Sequence, residues 1–173
     1  MSKTPGRPSW ILIMMVMLLI VLAIVMKFYI PQVTTRTDLE AEHAIRGVLD
    51  AQAAAWNRGN LDAFMEGYWK SPDLKFFSGK DITSGWEATL KRYRDKYQGA
   101  GREMGQLTFS DVEVKSCGPN DAWVRGHWKL VKSKETVEGL YTLIFRRLPE
   151  GWRIVHDHTS AGPSPAAEAK PSP

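Results

Sequence analysis

Close to its C-terminal end the chain reads His156-Asp157-His158, two imidazoles at i and i+2 with a carboxyl group between them. Residues two apart on an extended strand share a face. Simple alternation therefore predicts Trp152, Ile154, His156, His158 and Ser160 on one side, with Arg153, Val155, Asp157 and Thr159 on the other. Histidine titrates near neutral pH, so His156 or His158, oriented by a neighbouring acid or tyrosine, is a candidate general base, with Asp157 as the third candidate. A metal would need a third protein ligand, and the remaining histidines, His43 and His127, are not obviously placed to supply one. No metal and no cofactor are expected. The plainer alternative is that His158 and Ser160 hydrogen-bond helix ends and close the domain.

Aromatic residues are the second chemically capable set. Trp56, Tyr68, Trp86, Tyr93 and Trp128 carry polar atoms on apolar bodies, a combination suited to lining a pocket for a flat apolar ligand. Ser78, Tyr68 or His158 would fix that ligand's orientation. Against this stands ordinary filling of the core by the same rings. Cys117 has no adjacent histidine, and as the single cysteine it excludes an intrachain disulfide. Gly99, Gly101 and Gly105 lack the lysine and the strand-to-helix setting of a phosphate loop.

The elements that must position these residues follow from periodicity. Thr37-Asp38-Leu39-Glu40 fits a capping box. Ala41, Ala44/Ile45, Val48/Leu49, Gln52 and Ala55/Trp56 then recur at helical spacing, and Asn57-Arg58-Gly59-Asn60 breaks the pattern. Residues 61–69 read as a second short helix and 74–77 as a short strand. Ser84 is placed to cap a third helix, Trp86 to Tyr97. From Gly105 the period becomes two, with a face switch at Ser110-Asp111 that suggests a β-bulge. Strands follow from 122, from 140 to 148 and from 152 to 160, the last two joined by a turn at Pro149-Glu150-Gly151. The expected fold class is α+β: three helices packed on a curved, mostly antiparallel sheet, forming a cone-shaped domain.

The segment Ala55-Trp56-Asn57-Arg58-Gly59-Asn60-Leu61, followed by Phe64 and a strand ending at Ser78-Gly79, resembles the nuclear transport factor 2-like superfamily. Within it, the SnoaL-like and ketosteroid isomerase-like relatives of unknown function are most similar. The ending Phe145-Arg146-Arg147, then Gly151-Trp152-Arg153-Ile154-Val155-His156-Asp157-His158-Thr159-Ser160, is also similar to theirs. The resemblance covers roughly residues 40–161 and implies the cone fold, which hosts enzymes and non-enzymes alike. Carried over without gaps, the isomerase's oxyanion tyrosine falls on Gln52 and its general-base aspartate at or beside Phe76. Its second aspartate falls near Gly139, with Glu138 the closest acid. Phe76 can neither take a proton nor hold an enolate, so the resemblance does not extend to steroid-type isomerisation.

The sequence also contains a membrane signature. Trp10 to Met26 lacks any charge or strongly polar group, and at about 1.5 Å per residue the stretch 10–30 reaches the roughly 30 Å of a bilayer core. Pro31 is expected to end that helix. A cleaved secretory signal is the rival reading, but this run is longer than a signal core and lacks a small-x-small site. The formal charge of +4 lies on Lys3, Arg7, Lys27 and Arg36, flanking the apolar run, while residues 38–161 balance 18 basic against 18 acidic groups. Nucleic acid is therefore not an expected partner. The expected layout is a tail (1–9), a transmembrane anchor (10–30), a linker (31–37), the domain (38–161) and a Pro/Ala-rich disordered tail (162–173). The positive-inside bias places the N-terminus in the cytoplasm and the domain outside it, in the periplasm if the cell is bacterial. Two roles follow. One is a membrane-anchored domain with a small-molecule pocket, in which His158→Ala abolishes binding. The other is a non-catalytic interaction module of an envelope complex, homodimeric through the sheet face of Trp123, Leu140, Thr142 and Ile144.

Overall fold

The computed structural model describes residues 10–162, with the side chains of 29–35 excepted. It divides into two units at Leu39/Glu40. In the first, residues Trp10–Phe28 form an exposed, apolar helical stretch of 19 residues, long enough to cross a membrane. That stretch opens helix α1, Trp10–Asn57. Pro31 and the 31–37 stretch lie inside α1, which corrects the expected helix stop at Pro31 and the cap at Thr37. An internal proline removes one backbone hydrogen bond and crowds one carbonyl, a local cost that a longer helix can carry. Residues 163–173, expected to be a disordered tail, lie outside the described residues.

In the second unit α1 buries Ala41, Ile45, Leu49, Gln52, Ala55 and Trp56, the three- and four-residue spacing of one helix face. Its end is built by the motif that carries the family resemblance. Gly59 takes a left-handed φ of 72°, and the Asn60 side chain accepts from Ala63 N–H to start α2, Leu61–Met65. Trp56 Nε1 donates to Met104 O at 3.2 Å. The Asn57 side chain donates to Leu107 O at 3.0 Å and accepts from Leu107 N–H at 2.7 Å, which ties the helix end to the first long strand.

Six strands form one sheet in the order β2-β1-β6-β5-β4-β3. β1 (Lys75–Ser78) runs parallel to β6 (Gly151–Thr159), and every other pairing is antiparallel. β3 is Gln106–Ser116, β4 Asp121–Val131 and β5 Thr136–Leu148. The expected bulge is present: register shifts between Ser110 and Glu113, and Asp111 adopts φ 52°. β2 (Asp81–Ser84), a hairpin partner of β1, is too short and polar to show in the pattern. Helix α3 runs Trp86–Tyr97 as expected, but its N-cap is Gly85, with no side-chain capping bond. Ser84 instead accepts from Lys75 Nζ at 3.0 Å. One face of the sheet packs on α1, α2 and α3 around Ile45, Leu61, Met65, Leu74, Phe145 and Ile154, each at most 2% exposed.

Candidate functional site

The geometry of the site begins with β6. Opposite β5, Ile144 pairs with His156 and Phe145 with Ile154, so Val155 is an extra residue on β6. The other edge of β6 changes partner at the same place. Ile154 N–H donates to Gly67 O and Ile154 O accepts from Trp69 N–H, both at 2.9 Å, whereas from His156 onward the neighbour is β1. A bulge inverts the alternation beyond it. Trp152 and Ile154 face the helices, and after the bulge it is Asp157 and Thr159 that continue on that face. His156 and His158 are carried to the opposite face, where their rings meet Phe77 at 4.8 and 6.0 Å. The expected placement of the two histidines is thus corrected: the acid between them points inward. Burial and the neighbouring His158 also lower the pKa of His156.

Asp157 is 5% exposed. Its Oδ2 accepts from Tyr68 Oη at 2.7 Å, and Tyr68 Oη lies 3.3 Å from Tyr93 Oη. With the Tyr68 proton committed to Asp157, the relay runs Tyr93 to Tyr68 to Asp157. The opposing oxygen, Oδ1, is buried without a partner. Burial without a cation pushes the Asp157 pKa up to about 7, against the downward pull of Tyr68. Tyr68 and Tyr93 are both held well above the usual phenol range, first by burial and then by the charge of Asp157. A carboxyl group that titrates near neutrality inside an apolar pocket is able to take or release a proton there.

A second unpartnered polar atom lies on β5. Leu143 is the register partner of Asp157, and Tyr141, two residues away on the same face, is its diagonal neighbour. Tyr141 Oη is buried with no hydrogen-bond partner, and its pKa is pushed up to about 12, chiefly by burial. The hydroxyl fits because residue 126 is glycine: a Cβ there would sit 2.7 Å from Tyr141 Oη and 2.8 Å from Ser110 O.

Asp157, Tyr68, Tyr93 and Tyr141 are among the residues that line a cavity of about 240 Å³ between the helices and the sheet. Of the residues singled out in the sequence, Trp56, Tyr68, Ser78, Tyr93 and Trp128 are among its walls. Trp86 is not among them; it turns toward α2, donating from Nε1 to Met65 O at 3.0 Å, under Lys70 Nζ. Gln52 and Phe76, the positions reached by the isomerase carry-over, both line the cavity. Gln52 spends its Nε2 on Phe64 O at 3.0 Å. Phe76 has no acid of its own, yet its register partner across β1/β6 is Asp157. Tyr141 carries no mark in the sequence, because the strand is largely apolar on both faces until Arg146 and the inward one shows only in the register. Among the described residues no three His, Cys, Asp or Glu side chains converge to hold a metal ion.

Known proteins share this architecture. The model of the SnoaL-like domain matches residues 45–164. A nuclear transport factor 2-like protein of unknown function from Shewanella oneidensis MR-1 shares 36% identity, covering 69% of this chain and 98% of that one, with a TM-score of 0.65. Two more distant structures agree in fold alone. A provisionally named scytalone dehydratase from Novosphingobium aromaticivorans DSM 12444 has 14% identity, covers 75% and 89% of the two chains and has a TM-score of 0.60. A provisionally named calcium/calmodulin-dependent protein kinase type II association domain from Thiobacillus denitrificans ATCC 25259 has 22% identity, covers 68% and 94%, and has a TM-score of 0.57. No curated protein matches the chain. The helix-end motif, the six-stranded sheet and the match over residues 45–164 place this chain in the SnoaL-like family of the nuclear transport factor 2-like superfamily.

Proposed function

We propose that the domain is a small-molecule site in which Asp157 and Tyr141 contact the ligand, held at a membrane by residues 10–30. One observation carries the reading: Asp157 Oδ1 and Tyr141 Oη are buried polar atoms without protein partners, on neighbouring strands, in two residues that line one cavity. Leaving such an atom unpaired costs about 1–3 kcal/mol, and a ligand carbonyl or hydroxyl recovers it. The pair suits acid–base work on that ligand, Asp157 exchanging a proton while the Tyr141 hydroxyl donates to an oxygen. The apolar rings of Trp56, Phe76 and Trp128 favour a mostly apolar body. Residues 38–161 form the soluble domain in this reading, with the N-terminus cytoplasmic.

A ligand-observed NMR screen of small neutral aromatic ketones tests it. Binders should lose at least tenfold in affinity in Tyr141→Phe and respond to Asp157→Asn, while His158→Ala binds as the parent does. Binders indifferent to both cavity variants would refute the site.

A second reading is supported by the opposite face of the sheet, where Leu140 and Ile144 are 54% and 41% exposed on a central strand. Trp123 is the register partner of Ile144 there. Such a patch favours a homodimer or an envelope partner. Sedimentation of Trp123→Glu should show loss of the dimer if this face is the interface, with ketone binding unchanged.

A further inference from the structure

The mouth of the cavity differs in charge from its interior. Arg92 and Lys96 both line it, one helical turn apart on α3, so two like charges share one rim. Neither is firmly neutralised. The Arg92 guanidinium lies 3.7 Å from Asp81 and 5.5 Å over the Phe76 ring. Lys96 forms no ion pair among the described residues, and its ammonium sits 5.2 Å over the Tyr97 ring. A third rim cation, Lys132, is held by Glu135 at 2.8 Å. Burial separates the two ends: Asp157 and Tyr141 are buried, Arg92 is half-buried and Lys96 is exposed. The cavity is thus a largely apolar chamber lined by Asp157 and Tyr141 at its buried end and by Arg92 and Lys96 at its exposed end.

Resting on the pocket reading, we infer that the ligand is a small amphipathic anion, its carboxylate or equivalent group held at the mouth by Arg92 and Lys96 and its apolar body extending toward Asp157 and Tyr141. A cation pair at i and i+4 is mutually repulsive until an anion bridges it. Arginine matches a carboxylate with two parallel N–H donors, and the lysine adds a point charge. The opposite orientation would bring a negative charge beside Asp157 in a dry chamber. The volume, equal to roughly eight waters of liquid, limits the body to two fused rings or a short chain.

The test compares 2-naphthoate with 2-naphthamide, which match in size and differ in charge. Isothermal titration calorimetry of the full-length chain in phosphocholine nanodiscs, with empty nanodiscs subtracted, gives both affinities. Naphthoate should bind at least tenfold more tightly than naphthamide. Arg92→Met and Lys96→Met should each erase most of that preference while leaving naphthamide affinity within twofold, and added salt should narrow the gap. Equal affinities for the two probes would overturn the anion inference and leave the pocket reading standing. Binding of neither probe to the parent chain would overturn both.

Discussion

At the scale of single residues, the decisive feature is a carboxyl group placed where water does not stabilise its charge. Asp157 has an ordinary pKa near 3.9 when unfolded and one raised to about 7 in the fold. Between those values the folded state holds the proton that the unfolded state has released. Stability must therefore fall as pH rises from about 4 to about 7 and level off above that. Each pH unit in that window removes about 1.4 kcal/mol, so the whole loss amounts to a few kcal/mol. Thermal melts of the parent should decline from pH 5 to pH 8, and Asp157→Asn, which keeps an acceptor for Tyr68, should remove most of that decline. If the variant follows the parent's profile, Asp157 is ionised throughout and its acid–base role fails. His158 provides the contrast. Exposed and touching only the edge of Phe77 among rings, its change to alanine should cost no more than about 0.5–1 kcal/mol in a denaturant titration. A loss of several kcal/mol there would restore the structural role that sequence suggested for it.

At the scale of elements, two bulges show what could be read from sequence and what could not. At Ser110-Asp111 the apolar residues themselves change face, Leu107/Phe109 giving way to Val112/Val114, so the irregularity is written in composition. At Val155 nothing changes in composition. Ile154 and Val155 are adjacent apolar residues, His-Asp-His is polar on either face, and strict alternation is the natural reading. What fixes the inversion is tertiary: the segment 67–69 and β1 meet β6 successively along one edge. The three helical faces, the long strands and the motif at Trp56-Asn57 were legible because periodicity and local turn chemistry specify them. The inward acid and its tyrosines were not, because their positions depend on register between segments far apart in sequence. Gly139 tests this dependence. A Cβ there would fall 1.9 Å from Ser160 O, where the chain leaving β6 is held by Ser160 N–H on Leu140 O, Gly162 N–H on Glu138 O and Trp128 Nε1 on Ser160 O. Gly139→Ala should lift residues 160–162 off β5, cost about 1–3 kcal/mol and speed amide exchange at Ser160 and Gly162. Unchanged exchange would mean that this strap is not held by the close approach.

At the scale of the whole molecule, the proposed role depends on which side of a membrane the cavity would face. The stretch Trp10–Phe28 is long and apolar enough to span, and Lys27, near its end, is its one charged residue. Its flanking charges differ little: Lys3 and Arg7 with the amino terminus on one side, Lys27 and Arg36 on the other. In the proposed orientation the N-terminal flank is cytoplasmic and the domain is exported. An exported domain would meet oxidising surroundings, and this chain has a single cysteine, so it can form no internal disulfide that would occupy the thiol. Cys117 is exposed, beside the turn between β3 and β4. The native chain is thus its own topology reporter. Expressed in a bacterial host, it should remain in the membrane pellet after carbonate extraction, and Leu18→Arg with Leu19→Arg should release it. In intact spheroplasts a membrane-impermeant maleimide should label Cys117 without lysis. Labelling only after lysis would put the cavity in the cytoplasm, where its ligand would be drawn from metabolism and not from the envelope, and would overturn the proposed orientation.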